Sequence, residues 1–162
     1  MAAVSELYFQ YRGYMQTIIR IANHNDAAAL VEFNQSMAWE TENKKLDAEI
    51  LHKGVTGLIL DANKGFYLVA EQNGQVVGSL MVTTEWSDWR NGVFWWIQSV
   101  YILPDFRRQG IYAALYKQVK ELAQIQGDVC GFRLYVEKEN HVAQATYSAL
   151  GMHESHYLMF EE

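Results

Sequence analysis

Apolar side chains recur with two different periods along the chain, and each period predicts its own kind of element. Residues 17–21 form a β-branched run, which is typical of a strand. Apolar residues spaced three and four apart then predict a helix that begins near Asn25 and Asp26, and a second helix that begins near Asp47. The first part of the chain is therefore predicted to contain one strand and two helices in succession.

After residue 65, short apolar runs alternate with turns. The dipeptide Asn73-Gly74 is a strong hairpin signal, and it separates predicted strands at residues 66–71 and 76–84. A polar loop with two tryptophans follows, and the continuously apolar run at residues 93–103 predicts a buried strand. The remaining predicted elements are a helix at residues 110–126, a strand at 132–136, a helix at 140–150 and a strand at 156–160. Strands interleaved with helices in this order predict an α/β fold with a mixed sheet covered on both faces.

Length and composition favour one folded domain. The chain has 162 residues, of which 50% are apolar and 20% are charged, and a chain of this size buries roughly 70% of its unfolded surface. We assign residues 15–162 to the domain and residues 1–14 to an N-terminal extension that is expected to be poorly ordered. The single cysteine, Cys130, excludes an intramolecular disulfide. Because the chain shows no signal-peptide pattern and no apolar run of roughly 18 residues, we expect a cytoplasmic protein without a membrane span.

The charge of the chain narrows the classes of partner. Its formal net charge is −6, and no cluster of lysine and arginine is longer than Lys44-Lys45 or Arg107-Arg108, so we expect no nucleic-acid partner. An acidic surface would favour a cationic small molecule, although solubility alone explains the charge more simply. The histidines show no metal-ligand spacing with cysteine or with each other, so we expect no metal.

The segment Arg107-Arg108-Gln109-Gly110 joins the long apolar strand to a helix. The first amides of a helix lack intrahelical partners, and together with the helix dipole they form an anion site. Gly110 allows the backbone to approach a ligand closely, and the two arginines are donors suited to phosphate. The segment therefore predicts a site for a pyrophosphate-sized anion, although a turn with solvated arginines explains the composition equally well. It is neither a Walker loop nor a dinucleotide fingerprint, because the Gly-Lys-Ser/Thr end and the further glycines are absent.

Farther along, Asn140, Ala143 and Tyr147 lie at spacings that place them on one face of a helix. Asn140 is also a good helix cap. On spacing alone, a tyrosine at such a position is more often a core residue than a catalytic one.

The turn resembles the acetyl-CoA-binding motif of the GNAT family of N-acetyltransferases, written Arg/Gln-x-x-Gly-x-Gly/Ala. Arg107 and Gly110 match it, whereas Tyr112 stands where the family has glycine or alanine. The resemblance implies the acyl-CoA N-acyltransferase fold, with a mixed, mostly antiparallel sheet flanked by helices, and acetyl-CoA as cosubstrate. It also implies that Val100 and Ile102 pair their backbone with the pantetheine arm in the manner of an added strand. The cofactor-binding residues expected on this basis are Val100, Ile102, Arg107, Arg108, Gln109, Gly110, Ile111, Tyr112, Ala113, Asn140 and Ala143.

The downstream helix resembles the second cofactor motif of the same family, Asn-x-x-Ala-x-x-x-Tyr followed by Leu-Gly, and every marked position matches. In the family the tyrosine protonates the departing CoA thiolate, and the asparagine lies near the pantetheine. These roles fall on Tyr147 and Asn140. The chemistry agrees, because a phenol with a pKa of about 10 can donate to the thiolate of a thiol with a pKa of about 8.5. The resemblance thus implies transfer of an acetyl group to a primary amine of a small molecule or peptide by direct attack.

The general base is the missing part of the expected site. Many family members place a glutamate on the central strand, and the matching residue here is Gln98, which can orient a substrate or hold a water but cannot take a proton. Glu85 and Asp88, beside Trp86, are candidates for binding a cationic amine, and Trp39 is another candidate wall of the acceptor site. The simpler interpretation is that the tryptophans pack under the loop and the acids are solvated.

Two other functions stay open at this point. One is an acyl-CoA-binding sensor or partner module without catalysis, which Gln98 and Tyr112 favour and Tyr147 disfavours. The other is transfer of a longer acyl chain. The apolar strand near the C-terminus is also compatible with a homodimer.

Overall fold

The central sheet consists of five strands that follow one another in space as they do in sequence. A computed structural model of the protein describes residues 17–162. The strands are β1 (Ile18–Ile21), β2 (Phe66–Gln72), β3 (Gln75–Ser87), β4 (Gly92–Ile102) and β5 (Val129–Arg133). The pairs from β1 to β4 are antiparallel, and β5 is parallel to β4. The predicted mixed, mostly antiparallel sheet is confirmed. The predicted extension at residues 1–14 lies outside the described residues.

The helices are α1 (Ala27–Glu42), α2 (Ala48–Ile59), α3 (Ile111–Gln126) and α4 (His141–Ala149). Local capping explains their ends. The Asp47 carboxylate accepts the backbone N–H groups of Glu49 and Ile50 at 2.9 Å, so α2 begins there. Gly127 adopts φ 87° and ends α3, as glycine does in left-handed caps.

Alternation along the strands divides the core into two layers. Tyr67 and Val69 of β2 pack with α1 and α2 on one face, while their neighbours Leu68 and Ala70 pack on the other face with α3. Successive side chains of a strand point to opposite faces, and this sheet is therefore covered on both sides. The best-buried residues of the α3 layer are Leu68, Leu80, Val82, Leu115 and Val119.

The pairing between β4 and β5 is short. It runs from Val93 opposite Val129 to Trp96 opposite Arg133, although β4 continues to Ile102. Beyond Trp96, β4 remains paired with β3 on one side. On its other side, no strand within residues 17–162 pairs with residues 97–102, so this edge is free. The sheet is therefore split between β4 and the edge strand β5.

The free part of β4 is also bent by a bulge. Met81 pairs with Gln98 and Ser79 pairs with Tyr101, so Ser99 and one further residue of β4 lie opposite a single residue of β3. Ser99 has φ 48°, which is unusual for a residue other than glycine. Bulges of this kind redirect a strand next to functional sites.

Three sequence-based element assignments need correction. The predicted strand at residues 132–136 is β5 at Val129–Arg133, since its position is set by pairing with β4. The predicted strand at residues 156–160 is wrong, because this segment pairs with no strand of the described chain. Strand β3 extends to Ser87, so the predicted loop at residues 86–92 shrinks to the turn at residues 88–91.

Candidate functional site

The turn between β4 and α3 leaves helix amides without acceptors. Gly110 provides no capping side chain, and the Ala114 N–H donates to the Gly110 carbonyl at 3.0 Å as the first bond of the helix. The amides of residues 111–113 precede that bond and have no intrahelical acceptor. Arg108 (φ 62°) and Gly110 (φ 78°) both adopt left-handed conformations, and a Cβ on Gly110 would meet no atom within 4 Å. The turn is thus an open concavity at the positive end of a helix, which suits an anion.

The two arginines of the turn have different environments. The Arg107 guanidinium donates to the Ile102 carbonyl at 2.9 Å and to the Glu40 carboxylate at 2.7 Å. The Tyr101 hydroxyl donates to the other oxygen of Glu40 at 2.7 Å. Although partial burial opposes them, the Tyr101 hydroxyl and the Arg107 guanidinium hold the pKa of Glu40 below its usual value. Arg107 therefore joins the turn to the end of α1.

Arg108 and Gln109 complete the turn. The Arg108 side chain is exposed and has no hydrogen-bond or ion-pair partner within the described chain, so its charge is available to a ligand. The Gln109 side chain donates to the Asp105 carbonyl at 3.0 Å and steadies the loop. The sequence alone does not distinguish the two arginines. In the structure, Arg108 is the better candidate for binding phosphate, because its side chain is free within the described chain.

Val100 and Ile102 lie on the unpaired part of β4, as an added strand would require. The Ile102 carbonyl already accepts from Arg107. Within the described chain, Val100 has no such competing bond, so of the two residues it is the better candidate for backbone pairing with the pantetheine arm.

Helix α4 brings Tyr147 beside the first turn of α3. The Asn140 side chain accepts the Ala143 N–H at 3.1 Å and caps α4, which fixes where the helix begins. The Tyr147 ring meets the Tyr112 ring edge to face with centroids 5.4 Å apart. Burial raises the pKa of the Tyr147 phenol. The phenol is therefore protonated at neutral pH, and its hydroxyl makes no hydrogen bond to residues 17–162.

Tyr112 is accommodated by packing. Its ring stacks on Tyr116 at 6.2 Å, and its buried hydroxyl has no partner among the described residues. Burial, with the neighbouring tyrosines, raises the pKa of Tyr112 strongly. Because the side chain is packed against the core, the departure from the family's glycine or alanine leaves the amides of the turn uncovered.

Gln98 is held by two partners that sequence reasoning missed. Its Nε2 donates to the Thr83 hydroxyl at 2.6 Å, and its Oε1 accepts the Tyr135 hydroxyl at 3.1 Å. Tyr135 lies just after β5, so this bond crosses the split in the sheet. The strand register brings these residues near Gln98, because Trp96 pairs with both Thr83 and Arg133. This register cannot be read from the sequence alone.

Glu85 is occupied and distant from Gln98. Arg133 donates to both of its oxygens at 2.8 and 2.9 Å, and the Trp96 indole donates at 2.5 Å. The guanidinium also lies 3.7 Å from the centroid of the Phe94 ring. Phe94, the partner of Glu85, is four residues from Gln98, a separation of roughly 13 Å along a strand.

The other acceptor candidates of this hairpin also lie apart from Gln98. Asp88 is in the turn at the far end of β3, where its carboxylate accepts the Trp89 N–H at 2.9 Å. Trp86 precedes that turn on the opposite face of β3 from Glu85, since neighbouring residues of a strand alternate. The structure therefore does not gather Glu85, Trp86 and Asp88 around Gln98.

Trp39 lines a shallow cavity of about 280 Å³ at the end of α1, which is largely open to solvent. Its indole is exposed, and the other lining residues are Gln35, Ser36, Lys44 and Lys45. Trp39, an acceptor-site candidate from the sequence, thus lines a cavity together with two lysines.

Two further properties bear on function. Within residues 17–162, no group of three or more His, Cys, Asp or Glu side chains is arranged to hold a metal ion. In the same range, no helix has the length and apolarity needed to cross a membrane.

Comparison with known proteins gives one family. The model of the acetyltransferase (GNAT) family matches residues 18–152. An aminoglycoside N(6')-acetyltransferase type 1 from Acinetobacter genomosp. 13 is 33% identical over 64 residues, which span 40% of this chain and 43% of that relative. The match thus spans less than half the length of that curated relative.

Solved structures have the same fold. A possible acetyltransferase from Clostridium difficile 630 superimposes with a TM-score of 0.84 at 46% identity, over 90% of this chain and 96% of that one. A predicted acetyltransferase from Clostridium acetobutylicum, solved with acetyl-CoA, has a TM-score of 0.74 at 17% identity over 90% of this chain and 96% of its own. At that identity, the second structure supports the fold alone.

The geometry of the turn gives a matched pair of substitutions. We expect Gly110→Leu to weaken CoA binding at least about tenfold, because a side chain would enter the concavity and the left-handed turn would be strained. Gly74→Leu in the β2–β3 hairpin is the control, since Gly74 has φ 77° and equally open surroundings. Both variants lose stability to a similar strain, so calorimetric titration with CoA separates strain from the loss of the site. Equal CoA affinity in the two variants would contradict the placement of the anion at Gly110.

Proposed function

The chain belongs to the GNAT acetyltransferase family, and from this premise we propose that it transfers the acetyl group of acetyl-CoA to a primary amine of a small molecule or peptide by direct attack. One observation carries the proposal. The Tyr147 ring contacts Tyr112 in the first turn of α3, so α4 holds a phenol against the same helix whose N-terminal amides lack acceptors. This contact supports a proton donor in the wall of the proposed cofactor site.

The site would hold acetyl-CoA through the chain's own backbone and one free cation. The amides of residues 111–113 and the Arg108 guanidinium suit the pyrophosphate, because they offer donors at the positive end of a helix. The free edge at residues 97–102 suits the amide-containing pantetheine arm. Asn140 is engaged as a helix cap, so we assign it the role of orienting α4 and Tyr147.

In the proposed reaction, the unprotonated amine nitrogen attacks the thioester carbonyl carbon. A C–N bond forms and the C–S bond breaks, with its electron pair going to sulfur. Tyr147 donates a proton to that sulfur and is later reprotonated from solvent, and the nitrogen loses its extra proton. The raised pKa of Tyr147 suits this role, because the group stays protonated at the pH where the amine begins to be neutral.

Substituting Tyr147 by phenylalanine tests the acid. We expect Tyr147→Phe to lower turnover about 100-fold with acetyl-CoA affinity nearly unchanged, the usual scale for a lost general acid. Tyr112→Phe is the matched control, because its buried hydroxyl has no partner in the described chain and its removal costs no hydrogen bond. Amine-dependent release of CoA is the measurement.

The outcomes of this measurement distinguish an acetyltransferase from a sensor module without catalysis. Unchanged turnover in Tyr147→Phe, or an equal loss in Tyr112→Phe, would remove Tyr147 from the mechanism. A wild-type protein that binds acetyl-CoA but releases no CoA with any amine of a broad panel would instead be the sensor module that Gln98 favours.

Within residues 17–162, no carboxylate bonds to Gln98 in place of the missing base. The residues that contact its side chain, Thr83 and Tyr135, are neutral hydroxyls, and Glu85 is bound to Arg133. We therefore propose that Gln98 orients the amine and that the amine arrives after losing its proton to solvent. An alkylammonium with a pKa of about 10.4 is not nucleophilic, so reactivity rises with the neutral fraction.

A pH profile tests this account of the base. The rising limb of kcat/KM should follow the pKa of the acceptor, so two amines whose pKa values differ by about one unit should give limbs about one unit apart. Gln98→Glu should add a base and raise kcat/KM at neutral pH, while Gln98→Leu should not. If the rising limb of kcat/KM lay at the same pH for both amines, a base on the protein would be indicated instead.

The acceptor and the assembly are proposals too. The aminoglycoside acetyltransferase relative supports an amine on a small molecule. Apolar side chains that are exposed at the end of the chain support the homodimer expected from sequence, because such patches are typical of interaction surfaces. They are Tyr157, Leu158, Met159 and Phe160.

A further inference from the structure

The cavity at the end of α1 is a built feature of the fold. Gln35 bonds both backbone groups of Leu46, donating to its carbonyl at 2.8 Å and accepting its N–H at 3.1 Å. The Lys44 N–H donates to the Ala38 carbonyl at 3.1 Å. These bonds fold the α1–α2 connection back onto α1, so the walls of the cavity are set in place. Its volume of about 280 Å³ is close to the lower end of ligand pockets, roughly 300 Å³.

The charges that line the cavity are positive. Lys44 and Lys45 both line it, and neither ammonium has an ion-pair partner within residues 17–162. Two of the nearby carboxylates are engaged elsewhere, since Glu40 binds Arg107 and Asp47 caps α2, while Glu42 at the end of α1 is exposed and does not line the cavity. Two unpaired ammonium groups beside an exposed indole form a site for an anion attached to an apolar group.

The cavity adjoins the face of β4 on which Gln98 lies. Tyr101 packs against α1 on either side of Ser36, which lines the cavity: its ring lies 5.3 Å from that of Phe33, and its hydroxyl donates to Glu40 at 2.7 Å. Tyr101 and Gln98 pair with Ser79 and Met81, two residues apart on β3, and therefore share a face. Tyr101 and Gln98 are therefore roughly 7 Å apart along the strand. The cavity lies beyond Tyr101, so an acceptor that reaches both the cavity and Gln98 must be extended.

We propose that this cavity, defined by Gln35, Ser36, Trp39, Lys44 and Lys45, binds the anionic group of an acceptor that carries both an amine and a carboxylate or phosphate. The inference rests on the proposed acetyl transfer and names its substrate class. The anion lies between the two ammonium groups, the apolar part covers the Trp39 indole, and the amine extends toward Gln98. A polycation such as an aminoglycoside meets like charge at this wall and is a poorer acceptor.

Matched pairs of amines test the proposal. The pairs carry the anion at the opposite end of the molecule from the amine: 4-(2-aminoethyl)benzoate with phenethylamine, O-phosphotyramine with tyramine, and 6-aminohexanoate with hexylamine. The first and third carry a carboxylate and the second a phosphate. In the double variant Lys44→Ala/Lys45→Ala, we expect kcat/KM to fall about tenfold or more for the preferred anionic amine, the scale of one charge-assisted hydrogen bond. For its neutral partner the change should be under about twofold, the residual effect of exposed charges. Comparing the variant with the wild type cancels the different intrinsic reactivities of the two amines.

Two controls sharpen the test. Lys53→Ala removes an exposed lysine of α2 that pairs with Glu49, and it should change neither member of a pair. Trp39→Ala should lower kcat/KM more for the two aromatic anionic amines than for 6-aminohexanoate, which has no ring to cover the indole. Acetyl-CoA affinity should stay the same in every variant, because the cofactor turn is not part of the cavity.

The result that would overturn the inference differs from failure of the acetyl transfer itself. Equal loss for the anionic and neutral amines in all three pairs, or no loss at all, excludes the cavity as an anion site while leaving transfer intact. Where no amine is acetylated, calorimetric titration with the same anionic amines decides. Binding that the double variant abolishes supports the cavity, and its absence in the wild type overturns it.

Discussion

The parting of β4 from β5 after Trp96 and Arg133 is the constraint on which the rest of the site depends. A continuous parallel pairing would use the backbone groups of residues 97–102 within the sheet and leave no edge for a ligand. The bulge at Ser99 bends the same stretch, and the strand then leads into the turn that begins α3. The unpaired edge and the unpaired helix amides thus follow each other along one segment of chain, as an extended ligand with an anionic end requires.

Side-chain bonds between distant parts of the chain hold the walls of this opening. Arg107 and Tyr101 both bind Glu40, which ties the end of α1 to the turn. Tyr135 bonds to Gln98 across the split, and Arg133, in the last pair before the split, bonds to Glu85 of β3. The chain therefore replaces lost backbone pairing with side-chain contacts that leave space between the strands. Tyr147 is positioned by α4, whose start is fixed by the Asn140 cap, and by the contact of its ring with Tyr112.

Local chemistry explains what the sequence could predict. The Asn140 cap, the turn at Gly110 and the hairpin at Asn73-Gly74 each depend on a few adjacent residues, and all three are where their motifs indicate. The two layers of the core follow from alternation in the same way. The strand expected at residues 156–160 shows the limit, because a short apolar run does not reveal whether a pairing partner exists.

The parts of the site that sequence missed depend on long-range register. Glu85 and Trp86 looked like one acceptor cluster, but β3 continues through them and sends their side chains to opposite faces. Glu40 and Arg107 are 67 residues apart, and nothing in either neighbourhood predicts their pairing. Lys44 and Lys45 were noted only as a short basic pair, and their significance comes from the fold of the α1–α2 connection around Trp39.

The most direct test of the central claim is backbone hydrogen exchange measured residue by residue with and without acetyl-CoA. The account predicts that acetyl-CoA slows exchange at residues 97–102 of β4 and at residues 111–113 of α3, the unpaired edge and the unpaired amides. Protection confined to other segments, or none at saturating acetyl-CoA, would contradict it.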